Sequence, residues 1–256
     1  MKAPNPIAFS FFNIDIRWYG ILIAIGALLA VILSYKRAPL HNIDSENVLD
    51  AAIVIIPAGI IGARIYYVFF NYNLYAENPL SVFDIRGGGL AIHGGIIFGI
   101  LSAIILCKIK KINILELSDL LFPSLALAQS IGRWGNFFNS EAYGTKTSLP
   151  WAILINGENV HPTFLYESIW CFLLFFVLIH IDNNRKFTGQ VTFLYGMLYS
   201  FERFFVEGLR TDSLMIGPFR QAQVISVIIF ISCAFFYYTA VKLQQTAIKK
   251  SKPKNK

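Results

Sequence analysis

The chain is poor in charge. Of its 256 residues only 14% are Asp, Glu, Lys or Arg, against about 25% in ordinary soluble domains. That shortage accompanies a hydrophobic share of 55% and a mean hydropathy of +0.56. A soluble globular domain and a disordered chain are thereby excluded. Cysteine is also scarce. Cys107, Cys171 and Cys233 each fall in an apolar run with no CxxC spacing. A disulfide-built secreted module is excluded, and the three read as small buried hydrophobes. No HExxH and no GxSG nucleophile loop occurs, which disfavours an intramembrane protease. The last apolar run has no lysine, so a retinal photoreceptor is disfavoured as well.

What the chain has is length of apolar run. Trp18 to Tyr35, Gly87 to Cys107 and Gln221 to Val241 contain no charged residue. About 20 helical residues cross a hydrocarbon core of about 30 Å. Four further runs reach that length once a charge near one end is accepted. The expected fold is all-α, a polytopic membrane protein with seven transmembrane helices near 18–35, 51–70, 88–107, 117–132, 164–181, 187–206 and 221–241. The whole of 1–256 reads as one integral-membrane catalytic domain, with 242–256 as a basic tail. Nothing shows the ten-residue alternation of a membrane barrel.

The basic residues set an orientation. Thirteen of the 22 follow the first, third, fifth and seventh runs, among them Lys36, Arg37, Lys108, Lys110, Lys111, Arg185 and Lys186. The other nine, among them Lys2, Arg64, Arg86, Arg133, Arg203 and Arg210, lie toward the opposite side. The positive-inside rule then predicts an outer N-terminus and a cytoplasmic C-terminus. The final KKSKPKNK reads more simply as an anchor to anionic lipid than as a nucleic-acid tail. The first run is no cleavable signal, because its basic residues follow it.

Ionisable groups inside a membrane are costly, and their depth is informative. In this orientation Tyr19, Arg64, His93, Arg133, Glu167, Glu202, Arg203 and Glu207 all fall at the outer level, with only Asp119 and His180 near the inner ends. Snorkelling at the interface is the bland alternative; a convergence of arginines, carboxylates, amides and one His favours a site. Three segments carry it. Arg86-Gly-Gly-Gly-Leu-Ala-Ile-His93-Gly-Gly95 sets five glycines around one His. The glycines alone read as close helix packing, whereas His93 at a helix entrance can act as a base. Gly132-Arg133-Trp134-Gly135-Asn136-Phe137-Phe138-Asn139-Ser140-Glu141-Ala142-Tyr143-Gly144 joins a membrane helix to an outer loop; its Arg and Asn suit a phosphate with a hydroxylated headgroup. In the third segment, a spacing of four puts Tyr199, Arg203 and Glu207 on one face, so that Glu207 can orient Arg203.

Together with Ile16-Arg-Trp-Tyr19-Gly20 and His161-Pro-Thr-Phe-Leu-Tyr-Glu167, these segments resemble the prolipoprotein diacylglyceryl transferase family over nearly the whole chain. One departure is Phe164, where many relatives are expected to have Gln. The resemblance implies a bacterial cytoplasmic (inner) membrane enzyme. It would move the sn-1,2-diacylglyceryl group from phosphatidylglycerol to the lipobox cysteine thiol of a prolipoprotein signal peptide. A thioether forms and glycerol 1-phosphate leaves. On that basis Arg133 and Arg203 take the phosphate, Asn136 and Glu141 order the headgroup, and His93 accepts the thiol proton. Tyr19 and Tyr199 complete the polar wall, Gly144 and Glu207 join the substrate-binding set with Glu207 supporting Arg203, Arg210 recruits substrate, and Arg64 is a second-rank candidate. The bilayer is a partner and nucleic acid is not. No cofactor and no metal are implied, since His41, His93, His161 and His180 are scattered. A small-solute transporter or channel is the alternative; it predicts polar groups deep between the helices.

Overall fold

A computed structural model describes residues 5–12, 14–85 and 88–251, the side chains of 247–251 excepted. Lys2, Arg86, Gly87, Lys252, Lys254 and Lys256 lie outside the described residues. Seven α-helices are described: α1 (Trp18–Arg37), α2 (Ser45–Phe70), α3 (Ile92–Lys110), α4 (Ile114–Phe138), α5 (Thr163–Asn183), α6 (Gln190–Leu209) and α7 (Gln221–Ser251). All but α6 are long and apolar enough to cross a membrane, so the chain is a polytopic helical membrane protein. Glu202, Arg203 and Glu207 crowd the last two turns of α6, and it falls short on that measure.

Helix ends follow local chemistry more closely than the apolar runs do. The Asp44 carboxylate accepts from the Glu46 amide at 3.1 Å, and this cap starts α2 two turns before its apolar run begins. Pro57 and Pro123 sit inside α2 and α4 without ending them, as membrane helices tolerate. The fourth run, expected to stop at residue 132, continues through Phe138. Arg133 and Asn136 are therefore helical and do not open the loop. The tail expected from residue 242 begins as a continuation of α7.

Three short antiparallel hairpins, not foreseen from an all-α reading, occupy the connections: β1 (Ile7–Phe11) with β2 (Ile14–Arg17), β3 (Ile153–Ile155) with β4 (Glu158–Val160), and β5 (Met215–Ile216) with β6 (Phe219–Arg220).

The chain divides into two compact units. Residues 34–117 form one, built on α2 against α3. A Cβ on Gly62 would strike Phe98 and the Gly94 carbonyl, and one on Gly94 would strike the Gly62 carbonyl. This close approach is what Gly94, next to His93, serves. In the same unit Arg64 is buried. It donates Nε to the Val82 carbonyl (2.7 Å), Nη2 to Ser81 (2.7 Å) and Nη1 to Gly88 and Gly89 (2.9 and 3.0 Å). The guanidinium also lies 5.1 Å from the Tyr75 ring centre. Arg64 thus ties down the backbone of the α2–α3 connection, and four of its five donors are committed there.

The other unit comprises 1–33 and 118–256. Its core packs Ala126, Leu174, Leu178, Val191 and Tyr195 from α4, α5 and α6. At one end of that core Asp119 is fully buried and accepts from the Gly189 amide (2.6 Å), the Thr192 amide (2.7 Å) and the Thr192 hydroxyl (2.6 Å). It caps the start of α6 from α4. At the other end Phe137, Ile153, Ile155, Val160 and Phe164 make a second cluster, which seats the β3–β4 hairpin over the C-terminal turns of α4.

Candidate active site

The end of α4, the start of α5 and the second half of α6 bring three ionic side chains together. Arg133 Nη2 lies 3.1 Å from Oε1 of Glu167. Arg203 Nη1 donates to the same oxygen at 2.7 Å, and its Nη2 pairs with Glu207 at 2.6 Å, one turn further along α6. Arg133 also donates to the Tyr199 hydroxyl at 3.1 Å. Glu167 is 1% exposed, whereas the two arginine side chains keep 20% and 18% of their surface. The carboxylate is therefore sealed inside, while each arginine side chain stays partly exposed. Two guanidiniums paired in this way make a strong donor site for the oxygens of a phosphate.

Glu202 completes the electrostatics. It is buried, neither carboxyl oxygen has a hydrogen-bond partner among the described residues, and Glu167, Arg133 and Arg203 all lie within electrostatic reach of it. Three acidic side chains thus accompany two guanidiniums.

Asn136 and Asn139 both turn their amides to Glu141 Oε1, at 2.9 and 3.4 Å. They share it because Ser140 and Ala142 adopt positive φ (53° and 57°), folding the chain tightly back after α4. The Ala142 carbonyl accepts from the Thr163 hydroxyl at the start of α5. Gly144 bridges to Arg210, and a Cβ there would lie 2.7 Å from that of His161 and 3.2 Å from the Leu209 carbonyl. Its smallness serves chain passage between the ends of α5 and α6. Tyr19 packs its ring where a Cβ on Gly135 would sit, within electrostatic reach of Glu141 and Arg133.

Arg210 is held by a fork of two bonds to Asp212, 2.9 and 2.8 Å, which pulls the Asp212 carboxyl below its ordinary range. Arg220 donates to the Glu207 and Arg210 carbonyls and so caps the end of α6.

Of the residues expected at a site, Arg133 meets Tyr199 and Arg203 meets Glu207, and Glu167 joins the two pairs. Asn136 and Glu141 meet each other, with Tyr19 close by. His93 belongs to the 34–117 unit, on the first turn of α3, with its ring 6.0 Å from that of Tyr66. Glu167, placed by sequence at the level of the two arginines but given no role, is the hub.

The chain belongs to the prolipoprotein diacylglyceryl transferase family. The family model of that description matches residues 6–239. Among similar proteins, each named phosphatidylglycerol–prolipoprotein diacylglyceryl transferase, that of Clostridioides difficile strain 630 is 56% identical over 222 residues, covering 87% of this chain and 90% of the relative. That of Finegoldia magna is 52% identical over 227 residues, covering 88% and 92%. A Clostridium botulinum relative (strain Loch Maree) is 44% identical over 251 residues, covering 94% and 99%. The Gly132 to Gly144 segment that carried the resemblance spans the last turns of α4 and the loop that follows them.

Proposed function

We propose that this chain transfers the diacylglyceryl group of phosphatidylglycerol to a prolipoprotein, and that Arg133 and Arg203 hold the lipid phosphate. The observation that carries this reading is the meeting of two guanidiniums from different helices on one carboxylate oxygen. An anion already bridges them, so exchanging or sharing it with a phosphate oxygen needs little rearrangement. The names of the relatives supply the substrates.

Formation of a thioether breaks the bond between the diacylglyceryl carbon and the phosphate oxygen, and charge builds on the departing glycerol phosphate. Preorganised cations lower that barrier most where water is excluded. Glu207 keeps Arg203 turned toward the site, and Tyr199 does the same for Arg133. Asn136 and Glu141 offer donor and acceptor to the glycerol hydroxyls. The attacking lipobox thiol, with an ordinary pKa of about 8.5, needs a base, a role we assign to His93. We infer that α6 crosses the membrane with the other six helices, that the N-terminus lies outside, and that the membrane is the bacterial inner one. The charge distribution supports that orientation. The ionic groups gather where helices end, and the comparisons lend the transporter reading no support.

The experiment is direct. Purified chain, phosphatidylglycerol and a lipobox peptide should give a peptide heavier by one diacylglyceryl group. Arg133→Ala should keep the fold and lose at least about 100-fold in turnover, as removal of a transition-state charge partner does. Near-normal turnover would overturn the phosphate assignment.

A further inference from the structure

Between Arg133 and Glu167 runs a second α4–α5 contact that the transfer chemistry does not use. Ser130, one turn before Arg133, donates its hydroxyl to the Ser168 carbonyl at 2.8 Å. Ser168, next to Glu167, donates its own to the Ser130 carbonyl, also at 2.8 Å. The two hydroxyl oxygens lie 3.2 Å apart, but each has one proton and each proton is already committed across the helix pair. Ser168 Oγ further accepts from Trp134 Nε1 at 3.0 Å. Both serines are buried.

A serine inside a helix ordinarily bonds back to its own preceding turn. Here both turn outward and bond reciprocally to the neighbouring helix backbone, which fixes distance, rotation and axial register of α4 against α5 at one point. Arg133 is about 4.5 Å further along α4 at 1.5 Å per residue, and Glu167 is the adjoining residue of α5. The Arg133 guanidinium meets Glu167 and the Tyr199 hydroxyl. Its place is therefore set by where its helix stands.

We propose that Ser130 and Ser168 are positioning residues for the reaction: a reciprocal clasp that holds Arg133 at the separation from Glu167 that a shared phosphate requires. The inference rests on the phosphate reading above. Errors of about 1 Å in such a constellation cost up to about 100-fold in rate, so the clasp should matter more for turnover than for substrate capture.

The test is a double-mutant cycle on the full-length protein in phosphatidylglycerol-containing micelles with a lipobox peptide. Ser130→Ala should lower kcat about tenfold with KM for phosphatidylglycerol changed less than about twofold. In an Arg133→Lys background, where the planar fork is gone, the same substitution should cost less than twofold. Equal losses in both backgrounds would mean that Ser130 is merely structural, and an unchanged kcat in the parent would also overturn the clasp. Ser168→Ala serves as the second variant if Ser130→Ala fails to fold, with the same cycle and the same outcomes. Failure of the phosphate reading shows separately, as an Arg133→Lys single variant with the parent's turnover.

Discussion

Arg133 and Arg203, seventy positions apart in the chain, lie 3.1 and 2.7 Å from the same oxygen of Glu167. Neither arginine is near the other in sequence and neither shares a helix with the carboxylate. The arrangement exists only because α4, α5 and α6 pack around the Leu174–Leu178–Tyr195 core with the rotations they have. Two cations held apart at fixed distance by one anion form a template for a second anion of similar radius.

Glu167→Gln tests how much of the site is that hub. The amide keeps the volume and removes the buried charge that balances two partly exposed arginines. Breaking a buried ion pair from one side costs about 3–5 kcal/mol, and Glu207 remains to offset part of it on the Arg203 side. The melting temperature in detergent should fall by several degrees and turnover should fall with it. An unchanged melting temperature would mean that the guanidiniums find other partners.

Gly135→Ala should be damaging although it adds only a methyl group. Its Cβ would occupy the position of the Tyr19 ring, which α1 holds against the end of α4 with Trp18 stacked 5.3 Å from Phe138. Overpacking of this kind costs about 1–3 kcal/mol. Gly20→Ala is the control, because a Cβ there meets nothing within 4 Å. Thermal melts of the two variants should separate, Gly135→Ala below the parent and Gly20→Ala at or above it.

Much of this was legible in the sequence and some was not. Tyr199, Arg203 and Glu207 share a face because helical spacing requires it, and the structure pairs Arg203 with Glu207 as that spacing predicts. Charge counting put Arg133, Glu167, Arg203 and Glu207 at one level, and the structure brings them together where α4 ends, α5 starts and α6 ends. The hub role of Glu167 was not legible, since nothing in a one-dimensional pattern says how three helices are rotated about their axes. The extension of α4 to Phe138 was hidden by Gly132, Gly135 and Asn136, weak helix formers that tertiary packing overrides. Arg64 looked like a site residue for a sound reason, its cost in a membrane. Its actual partners are four backbone carbonyls of a loop, and a backbone acceptor leaves no trace in residue identity.

Asp212 gives a pH dependence with a definite sign. Its carboxyl is drawn below the ordinary range by the Arg210 bonds, so its contribution to the α6–α7 connection is present above the unfolded value near 3.9. That contribution is lost only as pH falls through the lower folded value. Asp212 is half exposed, and the increment is small. In acid melts followed by a Trp probe introduced as Phe219→Trp, Asp212→Asn should melt slightly below the parent at neutral pH, by that small increment, and should lack the further loss that the parent shows below the ordinary carboxylate range. A parent whose hairpin already loosens well above that range would contradict the bond's persistence.

The Arg64 latch makes the sharpest prediction outside the site. Four carbonyls, those of Ser81, Val82, Gly88 and Gly89, converge on one planar fork, and Gly89 approaches so closely that any side chain there would meet the guanidinium and Tyr67. A lysine has three donors on a flexible stem and no plane to match four acceptors fixed by two separate stretches of loop. Arg64→Lys should therefore release the 71–90 connection while leaving the Gly62–Gly94 contact between α2 and α3 in place. Limited proteolysis in detergent should cut the variant within 71–90 at least about tenfold faster than the parent, with the global melting temperature lowered by only a few degrees. Equal cleavage rates would show that the backbone of that loop holds without the fork. His93 follows this loop directly in the chain, so a loss of transfer activity in Arg64→Lys at normal melting temperature would mark loop order as a condition for turnover.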